Sequence, residues 1–149
     1  MINESAPTFV VRTYQPADRS ELEDLWARVF PDDPAWNAPA AMIANKLAVQ
    51  PELLFVGRVD DGTTRAPIAG AVMAGYDGVR GWIYHLAVAP EWRRHGFATL
   101  LVRAAETALA ARGCPKVNLQ VRATNAAVVA FYRTLGYEVE ERVSMGRRL

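Results

Sequence analysis

The chain reads as an α/β protein built on one mixed sheet, and three observations predict this. Strand-like and helix-like segments interleave along its length. Two strand-like runs, Leu53 to Asp60 and Ile68 to Tyr76, are joined as a hairpin through Asp60-Asp61-Gly62. A β-branched run ending near Val88 is followed at once by a proline, a basic turn and a long apolar repeat of helical period. At 149 residues the chain is long enough for one well-buried core and too short for two ordinary domains.

Each element has its own justification. Residues 1–8 form a tail, and the alternating run Phe9-Val10-Val11-Arg12-Thr13-Tyr14 is the first strand, opening one domain over 9–149. From Asp18 to Phe30, Leu22, Leu25, Trp26, Val29 and Phe30 recur at helical spacing, and Pro31-Asp32-Asp33-Pro34 stops the helix. A second helix runs from about Pro39 to Val49 on Met42, Ile43, Leu47 and Val49. The hairpin follows, and Asp77-Gly78-Val79-Arg80-Gly81 turns the chain into the strand 82–88. The next helix, Phe97 to Arg112, has the stripe Phe97, Leu100, Leu101, Ala104 and Ala108, with Gly113 as its left-handed stop. Lys116 to Val121 is a strand. Asn125 to Leu135 is a helix with Thr124 or Asn125 as cap and Gly136 as terminator. Tyr137 to Glu140 alternates as a strand should, and Val143 to Leu149 is a candidate final one. The count is six to seven strands and about four helices.

Composition bounds the function. With 51% apolar and 22% charged residues and a net charge of +1, the chain is globular and offers no general case for nucleic-acid binding. No apolar run approaches the roughly 20 residues of a membrane helix. The N-terminus lacks the pattern of a signal peptide, and a single cysteine, Cys114, precludes an internal disulfide; these features predict a cytoplasmic protein with no membrane partner. Two histidines and one cysteine give no metal-ligand spacing, so no metal is expected. Cys114 reads as a partly buried free thiol.

The basic turn carries the most chemistry. Pro90 ends the strand, Arg93-Arg94-His95-Gly96 follows, and a helix starts at Phe97. Backbone N–H groups at a helix start have no intrahelical partners and sit at the positive end of the dipole. Gly96 lets an anion approach closely, and Arg93, Arg94 and His95 can add charge. A phosphate-bearing ligand suits such a place, although a single glycine fits neither a Walker A loop nor a dinucleotide fingerprint. A helix following a basic surface turn is the plainer alternative.

Two segments together narrow this. Arg93, Gly96 and Ala98 match the pattern [RQ]-x-x-G-x-[GA]. Asn125, Phe131, Tyr132, Gly136 and Tyr137 match N-x-x-A-x-x-[FL]-Y-x-x-x-G-[FY], with Val128 where alanine is usual. In this order, and with Leu86-Ala87-Val88 and Pro90 ahead of them, they resemble the GNAT superfamily of acetyl-CoA-dependent N-acetyltransferases, from about Phe9 to Tyr137. The resemblance implies a single-domain GNAT-like fold with a mixed, mostly antiparallel sheet, and acetyl-CoA as co-substrate.

It also implies residue roles. Backbone groups of Leu86, Ala87 and Val88 would pair with the pantetheine arm as with an added strand. N–H groups of Arg93, Arg94, His95, Gly96, Phe97, Ala98 and Thr99 would hold the pyrophosphate. Asn125 would bond the cofactor chain, although a helix cap is its commoner use. Tyr132 would reach the thioester sulfur and protonate the leaving thiolate, although a core aromatic is the plainer role. The Val88 N–H would support the oxyanion.

The base is the point of departure. Many relatives carry a glutamate where this chain has Gln120, which can bond a water or substrate but cannot take a proton. By strict alternation Trp82, Tyr84, Leu86 and Val88 share a face and His85 points to the other, which favours a packed role for His85. An amine with a reference pKa near ~10.4 must shed a proton to react. Water-relayed deprotonation near Tyr84 is expected, with Asp77 as an amine anchor or simply the opener of an Asp-Gly turn.

The acceptor wall is expected from the connection between the first two helices. Trp36 offers an apolar face, Asn37 a bonding group, and Asp32 and Asp33 a negative rim favouring a cationic amine. Tyr76 and Asp77 stand with them. Trp36-Asn37 together with Gly75-Tyr76-Asp77-Gly78 resembles a bacterial branch of the family. A non-catalytic acyl-CoA-binding module is the alternative, since Gln120 removes a common base; homodimerisation through the last strand is left open.

Overall fold

The computed structural model describes residues 7–60 and 66–149. The strands are β1 (Thr8–Thr13), β2 (Leu54–Asp60), β3 (Ile68–Tyr76), β4 (Gly81–Val88) and β5 (Val117–Asn118). The helices are α1 (Arg19–Val29), α2 (Pro39–Ala48), α3 (Phe97–Ala111) and α4 (Ala126–Thr134). The expected tail falls largely on residues 1–6, outside the described residues, and Thr8 already belongs to β1. Residues 61–65, where the hairpin turn was expected, also lie outside them.

The sheet has the order β1-β2-β3-β4-β5, antiparallel through β4 and parallel between β4 and β5. The mixed α/β class therefore holds, with five strands among the described residues rather than six or seven. The strand expected over 116–121 shrinks to two residues, and 137–140 and 143–149 form none. Alternating side chains supply only the pattern of a strand. The strand itself exists through ladder partners, and Val139, Val143 and Met145 stand exposed without one.

Contacts divide the chain into two compact units, Met1–Leu119 and Gln120–Leu149. In the first, α1 and α2 cover one face of the sheet. Trp26 and Ile43 pack with Ala71, Met73 and Ala87 in a buried cluster. Trp26 is held by packing alone, because its buried Nε1 has no hydrogen-bond acceptor. On the opposite face a Cβ added to Gly70 would meet Leu101, and one added to Gly81 would meet Leu109, both of α3. The buried stripe of α3 is Phe97, Leu101, Val102, Ala105 and Leu109; Leu100, expected inside, is 46% exposed. The alanines of this helix weight the two neighbouring stripes almost equally, so sequence periodicity placed the face one position off. In α2 the inward residues are Ile43 and Lys46, whereas Leu47 and Val49 are exposed. Lys46 lies one turn from Ile43 and buries its aliphatic stem; the desolvation lowers its pKa.

Helix ends are closed by sequence-local geometry. At Gly113 (φ 80) the Cys114 N–H reaches the Leu109 carbonyl at 3.2 Å, and the Gly113 N–H reaches Ala110 at 3.0 Å. This is the glycine-dependent Schellman closure. Cys114 is half-buried, its Sγ 3.3 Å from the Lys116 carbonyl.

Gly57 and Gly70 face each other across β2 and β3 and form a flat floor beneath the Phe9 ring. That ring stacks on Phe97 at 4.2 Å, tying β1 to the start of α3. A Cβ on Gly57 would stand 1.9 Å from Phe9 Cζ. Gly57→Ala should therefore destabilise the protein by about 1–3 kcal/mol through overpacking, read from the urea midpoint. Combining it with Phe9→Leu should recover part of that loss, and a midpoint unchanged by Gly57→Ala would refute the floor.

Candidate active site

The site is built on β4. Ala71 pairs with Ala87 but Met73 with Tyr84, so Val72 alone faces both His85 and Leu86. This β-bulge, with His85 at φ 51, breaks the alternation expected for the strand. Tyr84 is opposite Met73, and Trp82 opposite Gly75, on the α1–α2 face. His85 joins that same face: its ring lies 5.3 Å from Trp26 and 4.9 Å from Phe30 of the α1 end. Ala87 follows on this face, and Val88, opposite Gly70, faces α3. Leu86 and Val88 thus no longer share a face with Trp82 and Tyr84. The sequence carries no mark of an extra residue inside an apolar run, and the direction expected for His85 was wrong for that reason.

β5 pairs only with Gly81 and Trp82. Among the described residues no strand lies on the outer edge of β4 beyond them. The Ala89 N–H donates to Ala69 at 2.7 Å, so by alternation the Val88 N–H points to that open edge. That edge is where the strand-like pairing expected of Leu86, Ala87 and Val88 would take place.

The basic turn follows directly. Pro90–Trp92 form one tight turn, Arg93 is extended, and Arg94 (φ 65) and Gly96 (φ 78) are left-handed before α3 begins at Phe97. Such alternation of backbone sign curls successive N–H groups around a concavity for anions. No side chain caps α3, which leaves its first N–H groups, including those of Ala98 and Thr99, open to a ligand. The three basic side chains have different duties. Arg93 Nε donates to the Val88 carbonyl at 3.3 Å, tying the turn to β4. The His95 Nδ1–H faces the Arg93 carbonyl at 2.8 Å, and its ring packs beside Phe97. Arg94 is exposed.

On the other side of β4, the Trp82 and Tyr84 rings stack at 6.4 Å, and Tyr84 is 47% exposed. Burial of its hydroxyl, assisted by the charge of Asp77, raises the Tyr84 pKa, so the phenol stays protonated. Asp77 Oδ1 accepts from the Val79 and Arg80 N–H groups at 2.7 Å each. These bonds lower its pKa, so the turn-opening role is realised with the carboxylate charged. The Tyr76 hydroxyl donates to the Gly78 carbonyl, and the Gln50 side chain bonds both backbone groups of Tyr76. Gln50 extends the end of β3 by mimicking a strand residue, a role that sequence reading missed.

In the α1–α2 connection Trp36 is exposed and Asn37 half-buried. Asp32 is exposed, but Asp33 is not part of a free rim: its Oδ2 lies 3.2 Å from His85 Nε2.

The second unit carries the remaining expected residues. Asn125 Oδ1 accepts from the Val128 N–H at 3.3 Å, so it caps α4 and keeps its Nδ2 donor available. Gly136 (φ 95) closes α4 by the same Schellman geometry as Gly113: Tyr137 N–H to Tyr132 at 3.1 Å, Gly136 N–H to Arg133 at 3.1 Å. The apolar contact that accompanies this closure is Tyr137 against Tyr132, with ring centroids 5.4 Å apart. The Phe131 ring also packs on Tyr132, edge-on at 5.1 Å. Burial pushes the Tyr132 hydroxyl up to about 12. Gln120 is exposed, and its Nε2 donates to Ser144 Oγ at 2.6 Å. Among the described residues no group of His, Cys, Asp or Glu is arranged to hold a metal. No helix among them is long and apolar enough to cross a membrane.

Comparison with known proteins gives this arrangement its class. Residues 16–137 match the acetyltransferase (GNAT) family, and the chain belongs to that family. It is an acyltransferase. An acetyltransferase of Yersinia enterocolitica is 42% identical over 139 residues, which cover 93% of this chain and 94% of the relative. An acetyltransferase of Sodalis glossinidius is 40% identical over 140 residues, 93% and 94% of the two chains. Among solved structures, the aminoglycoside N-acetyltransferase AAC(6')-Iy in complex with CoA superposes with a TM-score of 0.76 at 18% identity, covering 97% of each chain. Ard1 from Thermoplasma volcanium gives a TM-score of 0.75 at 20% identity, covering 89% of this chain and 84% of its own. These two likenesses establish the fold.

Proposed function

We propose that the protein, acting as one domain over 9–149, moves the acetyl group of acetyl-CoA to a primary amine of a small molecule or peptide, by direct attack in a ternary complex. One observation carries the reading: the open edge of β4 runs into a left-handed basic turn and an uncapped helix start. A ligand with amides along its middle and a pyrophosphate at its end matches that sequence of features. CoA in the complex of AAC(6')-Iy supports the same ligand here.

The roles follow from the chemistry. Edge groups of Leu86 to Val88 bond the pantetheine amides, and N–H groups from Arg93 to Thr99 hold the pyrophosphate, with Arg94 adding charge. The Nδ2 of Asn125 bonds the cofactor chain. The Val88 N–H supports the oxyanion, and Tyr132 gives its proton to the leaving thiolate. Tyr84, held as a neutral phenol, orients the water that removes the amine proton rather than acting as a phenolate base. Asp77 and the Trp82–Tyr84 platform favour a cationic acceptor, with Trp36, Asn37 and Tyr76 around it, and Gln120 bonds a water or the acceptor. The bisubstrate analogue bound by AAC(6')-Iy, CoA linked to acetylneamine, supports an amine of this class.

Thiol release from acetyl-CoA, followed with neamine, spermidine and a lysine peptide, tests the proposal. Amine-dependent release with intersecting initial-rate patterns is the expected outcome; parallel patterns would point to an acyl-enzyme. Acetyl-CoA binding without release across the panel would favour a binding module instead. Gly96→Ala sharpens the test. A Cβ there meets nothing within 4 Å of the protein, so the change costs only about 1 kcal/mol of left-handed strain. The methyl group nonetheless stands at the helix start, and the KM for acetyl-CoA should rise about tenfold, or ~1.4 kcal/mol of binding. An unchanged KM would move the pyrophosphate elsewhere.

A further inference from the structure

The α1–α2 connection carries backbone hydrogen bonds of its own. Asp33 N–H bonds Phe30, Asn37 N–H bonds Pro34, and Ala38 N–H bonds Ala35, all within the segment. The contact from Asp33 Oδ2 to His85 Nε2, 3.2 Å long, joins it to β4 across 52 residues of sequence. It reaches β4 at the bulge, the one place where two successive residues, Tyr84 and His85, share the α1–α2 face. The imidazole is itself fixed, edge-on to Trp26 and tilted against Phe30.

We propose that Asp33 and His85 form a latch that holds the α1–α2 connection against β4 and so sets where Trp36 and Asn37 stand relative to Tyr84, which fixes the acceptors the enzyme takes. The inference rests on the reading of that connection as the acceptor wall. Both are positioning residues: neither needs to touch the reacting atoms. A strand without the bulge would aim residue 85 at the α3 face, so the left-handed His85 backbone is what brings a donor to the loop. Burial lowers the His85 pKa despite the neighbouring carboxylate, which keeps Nε2–H a neutral, directional donor. The latch also removes Asp33 from the acceptor rim and leaves Asp32 as the exposed carboxylate there.

Three variants separate the latch from simple packing. Asp33→Ala removes the acceptor atom, His85→Phe keeps a ring against Trp26 and Phe30 but removes the donor, and Asp33→Asn retains an oxygen for Nε2–H. Hydrogen exchange of the amides 35–38, measured on the full-length protein without ligands, should accelerate at least fivefold in the first two variants and stay near wild type in the third. With the most active amine of neamine, spermidine and the lysine peptide, the amine KM should rise about tenfold in Asp33→Ala and His85→Phe. The KM for acetyl-CoA should move less than twofold, and Asp33→Asn should restore the amine KM. Unchanged exchange in Asp33→Ala overturns the latch. Faster exchange with an unmoved amine KM overturns its role in acceptor choice, as does an equal rise in both KM values. If no amine gives thiol release, the acetyl-transfer reading fails by itself, and the exchange rates still decide whether the latch exists.

Discussion

Tyr132→Phe should lower kcat about 100-fold while leaving the Kd for acetyl-CoA within twofold, the magnitude expected for loss of a general acid. Phenylalanine keeps the ring that packs against Phe131 and Tyr137, so the closure of α4 survives and only the proton is lost. The hydroxyl, pushed up to about 12 by burial, holds its proton throughout the range in which the enzyme can be assayed. Any fall in kcat on the alkaline side below that value therefore belongs to other groups, and the wild-type and variant profiles should run parallel there. Single-turnover rates and a fluorescence titration with acetyl-CoA separate the two effects. Full activity in Tyr132→Phe would remove Tyr132 from the chemistry, and a matching loss of acetyl-CoA affinity would make it a binding residue.

Asp18→Ala should cost about 3 kcal/mol of stability, the lower end for breaking a buried ion pair, because both of its cationic partners keep some contact with water. Asp18 is 1% exposed and stands where β1, β2 and α1 meet. Its carboxylate takes both arms of Arg12 at 2.6 and 2.8 Å, Arg58 at 3.0 Å and the Gln15 N–H at 2.8 Å. Arg58 also bonds Glu21, which in turn accepts from the Ile68 N–H at 3.0 Å. Burial alone would raise the Asp18 pKa; the bonds from Arg12, Gln15 and Arg58 outweigh it and hold the group at about 2, against 3.8 when free. The native pKa is the lower one, so its contribution is complete above about pH 4 and disappears as the pH falls through about 2. That contribution amounts to about 2 kcal/mol. Urea midpoints of wild type and Asp18→Asn, measured from pH 6 down to 2, should converge toward the acid end. A gap that stays constant would show that shape rather than charge holds this junction.

Much of this site could be read from local chemistry. Gly96, Asn125 and Gly136 act within a few residues of themselves, as a left-handed turn, a cap and a helix closure, and short-range rules specify all three. The pairing of Tyr132 with Tyr137 is local as well, because both belong to one Schellman turn. The helices α1 and α3 announced themselves by spacing, although the alanine-rich surface of α3 blurred which stripe faces inward.

Other features depend on partners distant in sequence. Residues 137–140 alternate correctly yet form no strand, since a ladder needs a second backbone. Arg12 and Asp18 are near neighbours in the chain, but their value comes from Arg58, brought in by the pairing of β1 with β2. The bulge in β4 is the sharpest case. Strict alternation sends His85 to the α3 face, whereas the register with β3 forces two residues against Val72 and turns the imidazole toward Asp33.

The sequence by itself determined the family, the order of the elements as far as α4 and the left-handed basic turn, because each is written in contiguous residues whose backbone preferences act locally. Only the tertiary structure decided that among the described residues no strand pairs with β4 beyond Trp82 on its outer edge, that Asp33 belongs to His85 and that Tyr84 and His85 share a face. Those outcomes depend on strand register, which is settled by long-range pairing and by the packing of α1 against the sheet.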